Sequence, residues 1–259
     1  MKHDDSGAGD GNAVIDLRGD VRGDVESLPA WYLRDLRAGG VVEERVEGVA
    51  FSSPSAQVDV LPDGRVVVLA THEQELGGAG NQVYMGCRFP AEPAYAAELG
   101  RHAAAVGAAL ARRGAVGRMG VDFAVARDAD GRHALRAPVV NLRKGGTTHP
   151  FTVLRSHVPG RYDVEAGRWV AAADGSARAY RGTDNLVNPG WLGLPPATVL
   201  RAVGDRGLHL DHETGTGVVL HMLSCLAVDG RFGLTAVGRD ADHAAELFAG
   251  ARAAVEAVL

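Results

Sequence analysis

Hydrophobic positions recur at helical spacing over residues 94–113, where Tyr95, Leu99, Val106 and Leu110 share one face and Gly114 follows as a stop. The string "SLPAWYLRDLRAGG" predicts a second helix, with Ser27 as cap, Pro29 in the first turn and Gly39-Gly40 ending it. Period-two alternation marks strands instead. "QVDVLPDGRVVVLATH" reads as a hairpin about Pro62-Asp63-Gly64, and "GVDFAVARDADGRHALRAPVVNLR" as another about Asp128 to Gly131. Residues 13–17 and "VVEERVEG" read as further strands. Thr148 is placed to cap a short helix near Pro150. Beyond it come a hairpin carrying Trp169 and Tyr180, a loop "GTDNLVNPGWLGLPP", a helix from about Ala197 and a hairpin across Asp229-Gly230. A last helix from near Asp240 points Leu247, Phe248, Ala251 and Val255 inward. Strands and helices mix without strict βαβ alternation, so the expected class is α+β. No internal repeat is visible, and Pro159-Gly160 is the best candidate boundary.

Composition narrows the function classes. The chain has 259 residues, is 46% hydrophobic and carries a formal charge of −5 with 5% aromatic residues. No basic surface or stacking platform for nucleic acid is expected from those values. Cys87 and Cys225 stand far apart, which argues against a disulfide framework or zinc ribbon and for a reducing cytoplasm. The polar start "MKHDDSGAGDGN" has no apolar core of a signal peptide, and no run is apolar enough to span a bilayer.

Several stretches carry candidate chemistry. In "KHDDSGAGDGN" the glycines would let backbone approach an anion while Lys2 adds a point charge; a disordered terminus is the plain alternative. "VVEERVEG" would present an edge strand to a purine, or is a solvated charged strand. "HLDHE" (residues 209–213) and "HEQE" from His72 have ligand chemistry without any standard zinc spacing. His221 reads as a core histidine. The strongest constellation is "NLRKGGTTHP". Folding its hairpin brings Asp122 to Asn141, an oxygen pair that suits Mg²⁺ with phosphate oxygens. Arg143 and Lys144 would neutralise an anion there, and Gly145-Gly146 with the Thr148 helix start would add N–H donors. The plain alternative is a polar surface turn.

The strings "SGAGDGNAVIDL", "GGVVEERVEG", "SPSAQ", "THEQELGG", "YMGCRFPA", "GVDFAV", "NLRKGGTTHPF", "GTDNL" and "GVVLHML" occur in this order through nearly the whole chain. In that order they resemble the ATP-grasp ligases, specifically the pheganomycin-type peptide ligases that make small specialised peptides. The resemblance implies an incomplete ATP-grasp fold with an antiparallel sheet core over residues 1–155 and a small C-terminal α+β domain over 156–259. It implies ATP and Mg²⁺ as cofactors. A substrate carboxylate, from an amino acid or small peptide, would be phosphorylated by ATP and the acyl phosphate attacked by an amine. By position, Lys2 resembles an ATP lysine, and Ser6, Gly7, Gly9, Gly11 and Asn12 the phosphate-covering flap. Glu43, Glu44 and Val46 resemble the adenine-reading strand. Asp122 and Asn141 resemble metal ligands. Arg143 resembles the arginine that meets phosphate and carboxylate; with Lys144 it forms the expected catalytic pair, and Thr147, Thr148 and His149 would shape the acceptor pocket. Two departures accompany the likeness. The family carries E-x-N where this chain has Val139 before Asn141. The family's preceding domain and half of its flap are expected to be missing, leaving open a truncated product, a fragment, a misplaced start, or one half of a split enzyme whose partner is a separate N-terminal half. The alternative function is a degenerate, non-catalytic remnant or partner subunit that binds nucleotide weakly.

Overall fold

The computed structural model describes residues 1–4, 11–46, 48–78 and 83–258. Near the N-terminus β1 (Lys2–His3) pairs antiparallel with β2 (Gly40–Val41), and between them lie α1 (Val21–Glu26) and α2 (Ala30–Ala38). Asp20 caps α1 by accepting from Gly23 N–H at 3.0 Å. The sequence reading needs four corrections here. Helix α1 was not expected; Ser27, expected to cap α2, instead ends α1, and Pro29 takes the cap position of α2. Residues 13–17 form no strand, and among the described residues of "VVEERVEG" only Val41 is in a strand. The reason is a missing ladder: among the described residues no strand lies alongside these segments beyond β1, and Val42 and Leu17 are left exposed.

From residue 50 onward the alternating pattern becomes one antiparallel sheet of eleven strands. These are β3 (Ala50–Ser52), β4 (Pro54–Val60), β5 (Val66–Gly77), β6 (Val83–Phe89), β7 (Gly117–Arg127), β8 (His133–Asn141), β9 (Gly160–Asp163), β10 (Arg168–Ala171), β11 (Ala177–Val187), β12 (Gly217–His221) and β13 (Arg231–Gly238). The order is β12-β13-β11-β6-β5-β4-β7-β3, with β8 on β7 and β10 and β9 stepping off β11. Both expected hairpins, β4–β5 and β7–β8, form, with Gly64 and Gly131 in left-handed turn conformations. "GTDNLV", expected as loop, is strand: it completes β11, which pairs with both β6 and β13. Its turn-like composition is overridden by two neighbouring strands that satisfy its backbone. The pair expected across Asp229-Gly230 is β12 with β13, joined through a 3₁₀ turn (Leu223–Ala227).

Helices cover the two faces unequally. α3 (Ala96–Ala111) and α6 (Ala241–Glu256) lie on one face, and α5 (Pro196–Gly204) packs on α6. Leu99 of α3 is fully buried against Val58, Met119, Val121 and Phe123, and Val106 and Leu110 pack at the margin. Phe248, Ala251 and Val255 of α6 bury against Leu234 and Ala236, with Asp240 capping the helix through His243 N–H at 2.8 Å. On the opposite face α4 (Thr148–His157) is the helix that packs on the sheet, placing Phe151 and Leu154 against Phe89, Tyr180 and Trp169. The expected boundary at 155/156 falls inside α4, and β11 hydrogen-bonds directly to β6. No described helix is long and apolar enough to cross a membrane.

Candidate functional site

The polar residues singled out in the sequence converge on the sheet face that carries α4. Asp122 pairs across the ladder with Ser55 and Val139, Gly120 pairs with Asn141, and Ser55 in turn pairs with His72. Cross-strand partners project to the same side, so Asp122, Val139, Asn141, Ser55 and His72 share one face. Asp122 accepts from Asn141 Nδ2 at 2.7 Å and from Gln74 Nε2 at 3.0 Å. Burial raises its pKa above the usual aspartate value, against the pull of those two amides and of the positive charges on Arg143 and Lys2. Lys2 and Arg143, 141 positions apart in sequence, thus both act on one carboxylate. Lys2 Nζ also meets Glu43 Oε2 at 2.6 Å, which ties the first strand to the "VVEER" segment.

The other expected residues are spread around this centre. Of the residues expected in the flap, Gly11 and Asn12 are described, and Asn12 bridges back to Lys2; Ser6, Gly7 and Gly9 lie outside the described residues. Glu44 is exposed and Val46 half-buried, both in irregular chain. Thr147 is buried and takes the cap position of α4 that had been assigned to Thr148; Thr148 Oγ1 instead accepts from Gly145 N–H at 3.1 Å.

Arg143, Lys144 and His149 line a cleft of about 600 Å³ with Tyr84, Gly145, Gly146, Pro150, Thr183, Asp184, His221 and Met222. Gly146 seats against Tyr84, since a Cβ there would come within 2.5 Å of the ring. The rings of His149 and His221 stand 4.0 Å apart between centroids. Burial, and secondarily the charge of His149, pushes the His221 imidazole down to about 4. His221, read from the sequence as a core histidine, is half-buried and lines this cleft. Sequence reading also missed Asp184 as a site residue, because "GTDNL" looked like a turn, and Gln74, which no local pattern marks.

The remaining histidine motifs are structural. His72 is fully buried and hydrogen-bonded to Tyr180, and Glu73 accepts from Tyr95 Oη at 2.6 Å. "HLDHE" forms a turn closed by Asp211, which accepts from Glu213 N–H at 2.7 Å. Among the described residues no three His, Cys, Asp or Glu side chains gather as a metal cluster. At Asp122 the donor set is one carboxylate beside two amides. That set fits a single Mg²⁺ completed by phosphate and water oxygens; with valine at 139, it lacks a second carboxylate for a pair of ions.

An antiparallel sheet with α3 and α6 on one face and α4 beside this polar centre on the other has the ATP-grasp fold. The chain superposes on the ADP complex of the N5-carboxyaminoimidazole ribonucleotide synthetase PurK with a TM-score of 0.51, at 13% identity over 93% of this chain and 59% of that one. It is also 37% identical over 244 residues to the L-propargylglycine–L-glutamate ligase of Streptantibioticus cattleyicolor, covering 90% of this chain and 48% of the relative. Residues 198–250 match the family model described as the PGM1 C-terminal domain. The likeness to ATP-grasp peptide ligases read from the sequence is borne out by these similarities. The chain spans about half the length of the curated relative it matches.

Proposed function

We propose that this chain is the nucleotide- and acceptor-binding part of an ATP-dependent carboxylate–amine ligase working in the cytoplasm, with residues 1–155 holding nucleotide and 156–259 completing the acceptor side. The observation that carries the reading is the convergence of Lys2, Arg143, Asn141 and Gln74 on the Asp122 carboxylate. A desolvated carboxylate between two cations and two amides is suited to a polyphosphate and its counter-ion. Asp122 and Asn141 would hold one Mg²⁺, which supplies positive charge against the phosphates. Lys2 and Arg143 would bind phosphate oxygens, Gly11 and Asn12 would lie at the end of the covering flap, and Glu43, Glu44 and Val46 would border the base. Arg143 and Lys144 would then stabilise charge on the transferring phosphoryl group and the acyl phosphate. The relative at 37% identity is named for joining two amino acids, and an amino acid or small peptide carboxylate with an amine acceptor is the substrate pair proposed here. The relative's other half has no counterpart in the matched length, and we place the rest of the site on such a half, in cis or as a separate polypeptide.

Calorimetry with Mg-ATP tests this directly. Charge-assisted hydrogen bonds contribute about 1.5–3 kcal/mol, so Lys2→Ala or Arg143→Ala should weaken binding roughly tenfold or more. Binding indifferent to both changes would remove the nucleotide from this centre. A second reading is favoured by Val139, which faces Asp122 where a further carboxylate would complete a two-ion site: a subunit that binds nucleotide without turning it over. Phosphate release on adding the relative's other half separates the two, because only the ligase gains activity.

A further inference from the structure

The cleft beside α4 carries opposite charges on its two sides, and each is placed by a distinct device. In β11 the ladder to β13 runs through Thr183–Leu234 and resumes at Leu186–Phe232, so Asp184 and Asn185 together fall opposite Gly233. Such a bulge re-aims side chains out of the ladder. It is fastened from below: Thr183 Oγ1 donates to the Met85 carbonyl and accepts from Asn185 N–H at 3.0 Å. Asp184 lines the cleft, and among the described residues no hydrogen-bond or ion-pair partner contacts its side chain.

Gly233 also makes room on its other side. It pairs with His221, whose Nε2 would lie 2.0 Å from a Cβ at that position. The ring therefore lies across β13 and reaches His149 at the start of α4. The next residue, Met222, takes a left-handed conformation at φ 55°, the one such non-glycine residue among those described, and lines the same cleft. A conformation of that kind is held only where the surroundings over-determine it. On the facing rim stand Arg143 and Lys144, with Gly145 and Gly146 leading into the first turn of α4.

We propose that this cleft holds the amine substrate as an α-amino acid zwitterion, with its ammonium on Asp184, its carboxylate on Lys144 and the N–H groups that open α4, and His149 as the acceptor of the ammonium proton. The binding claim stands on the cleft alone; the proton step rests on the ligase reading. His221 stays neutral at pH 7, since burial pushes its imidazole down to about 4, and its ring stands 4.0 Å from that of His149 at the mouth of α4. In the reaction the ammonium gives one proton to His149, and the freed nitrogen lone pair forms the C–N bond at the acyl phosphate carbon. The C–O bond to phosphate then breaks, and the second nitrogen proton leaves with the phosphate. His149 is the catalytic residue in this scheme and His221 positions it.

The test uses the full chain with L-glutamate as probe and N-acetyl-L-glutamate, which lacks the ammonium, as control. Calorimetry should show L-glutamate binding that weakens about tenfold or more in Asp184→Asn and in Lys144→Ala, from the worth of a charged hydrogen bond, while N-acetyl-L-glutamate binds far more weakly. A second arm, run with the relative's other half added, supplies hydroxylamine, a nucleophile already neutral at pH 7, to trap acyl phosphate as hydroxamate. His149→Gln should slow amide formation far more than hydroxamate formation, and His221→Leu should raise KM more than it lowers kcat. Equal binding of the two ligands, or indifference to both Asp184→Asn and Lys144→Ala, overturns the zwitterion site. Failure of every common α-amino acid to bind at millimolar concentration does the same. Equal loss of amide and hydroxamate in His149→Gln overturns its role as proton acceptor. A wild-type chain that binds L-glutamate as expected but makes no hydroxamate even with the relative's other half supplied overturns the ligase reading and the proton step, and keeps the binding site.

Discussion

Val139 stands directly opposite Asp122 across the β7–β8 ladder, on the same face as Asn141. The side chain at 139 therefore points into the group of atoms proposed to hold Mg²⁺. Val139→Glu would set a second carboxylate beside a desolvated one. Without metal the two repel, and the melting temperature should fall. With Mg-ATP the new carboxylate becomes a ligand, and a ligand that binds only the folded state stabilises it by mass action. Melting curves with and without Mg-ATP should show a larger upward shift for the variant than for the parent chain. Equal shifts would mean that residue 139 does not reach the ion.

Gly233→Ala isolates the device that places His221. The new methyl would sit 2.0 Å from Nε2, so the ring must rotate away from β13. Overpacking of this kind costs about 1–3 kcal/mol. Histidine NMR should show the His221 imidazole rising from about 4 towards its ordinary range as burial and the His149 contact are lost. An unchanged titration would show that the ring does not depend on Gly233.

Gly146→Ala should act on the cleft from the other rim by displacing the Tyr84 ring. L-glutamate binding is expected to weaken, and Tyr84→Ala in the same chain should restore part of it by removing the obstacle. Calorimetry on the single and double variants reads the coupling. Additive losses would separate Tyr84 from the cleft wall.

His72 gives the pH dependence of stability. Burial pushes its imidazole down to about 3, from 6.5 for the free side chain. The folded protein therefore binds no proton there at pH values where the unfolded chain does. The stabilisation is complete above about 6.5 and is lost as pH falls towards 3, at up to about 1.4 kcal/mol per pH unit from this one group. Replacing the hydrogen-bonded pair by His72→Leu with Tyr180→Phe should flatten that slope in urea titrations between pH 6 and 4. An unaltered slope would mean other groups govern acid unfolding.

The hairpins, α3, α6 and the approach of Asp122 to Asn141 were legible because each is set by local alternation, a turn and a cap. The two N-terminal strands were misread for the opposite reason. Apolar alternation in residues 13–17 and 41–48 promises a ladder that only a neighbouring strand can honour, and β1 reaches no further than Val41. "GTDNL" failed in the reverse direction: its composition announces a turn, while two flanking strands hold it extended and spend the irregularity on a single bulge. Asp184 was hidden by that error. The His149–His221 contact joins residues 72 positions apart through α4 and β12, and nothing local in either segment signals it.

The pairing of β6 with β11 sets the order in which the molecule can be made. Phe89 takes Tyr180 as its partner, and the edge of β6 that β11 covers has its backbone groups open until then. A ribosome releases the intervening ninety or so residues first. For that interval the apolar side chains of Cys87 and Phe89 face a half-built surface, the situation in which nascent chains invite wrong partners. Synthesis at low temperature or with chaperones should raise the soluble yield of this chain far more than that of a piece ending before β6, and a stop between β6 and residue 177 should leave a product that clumps rather than a smaller working protein.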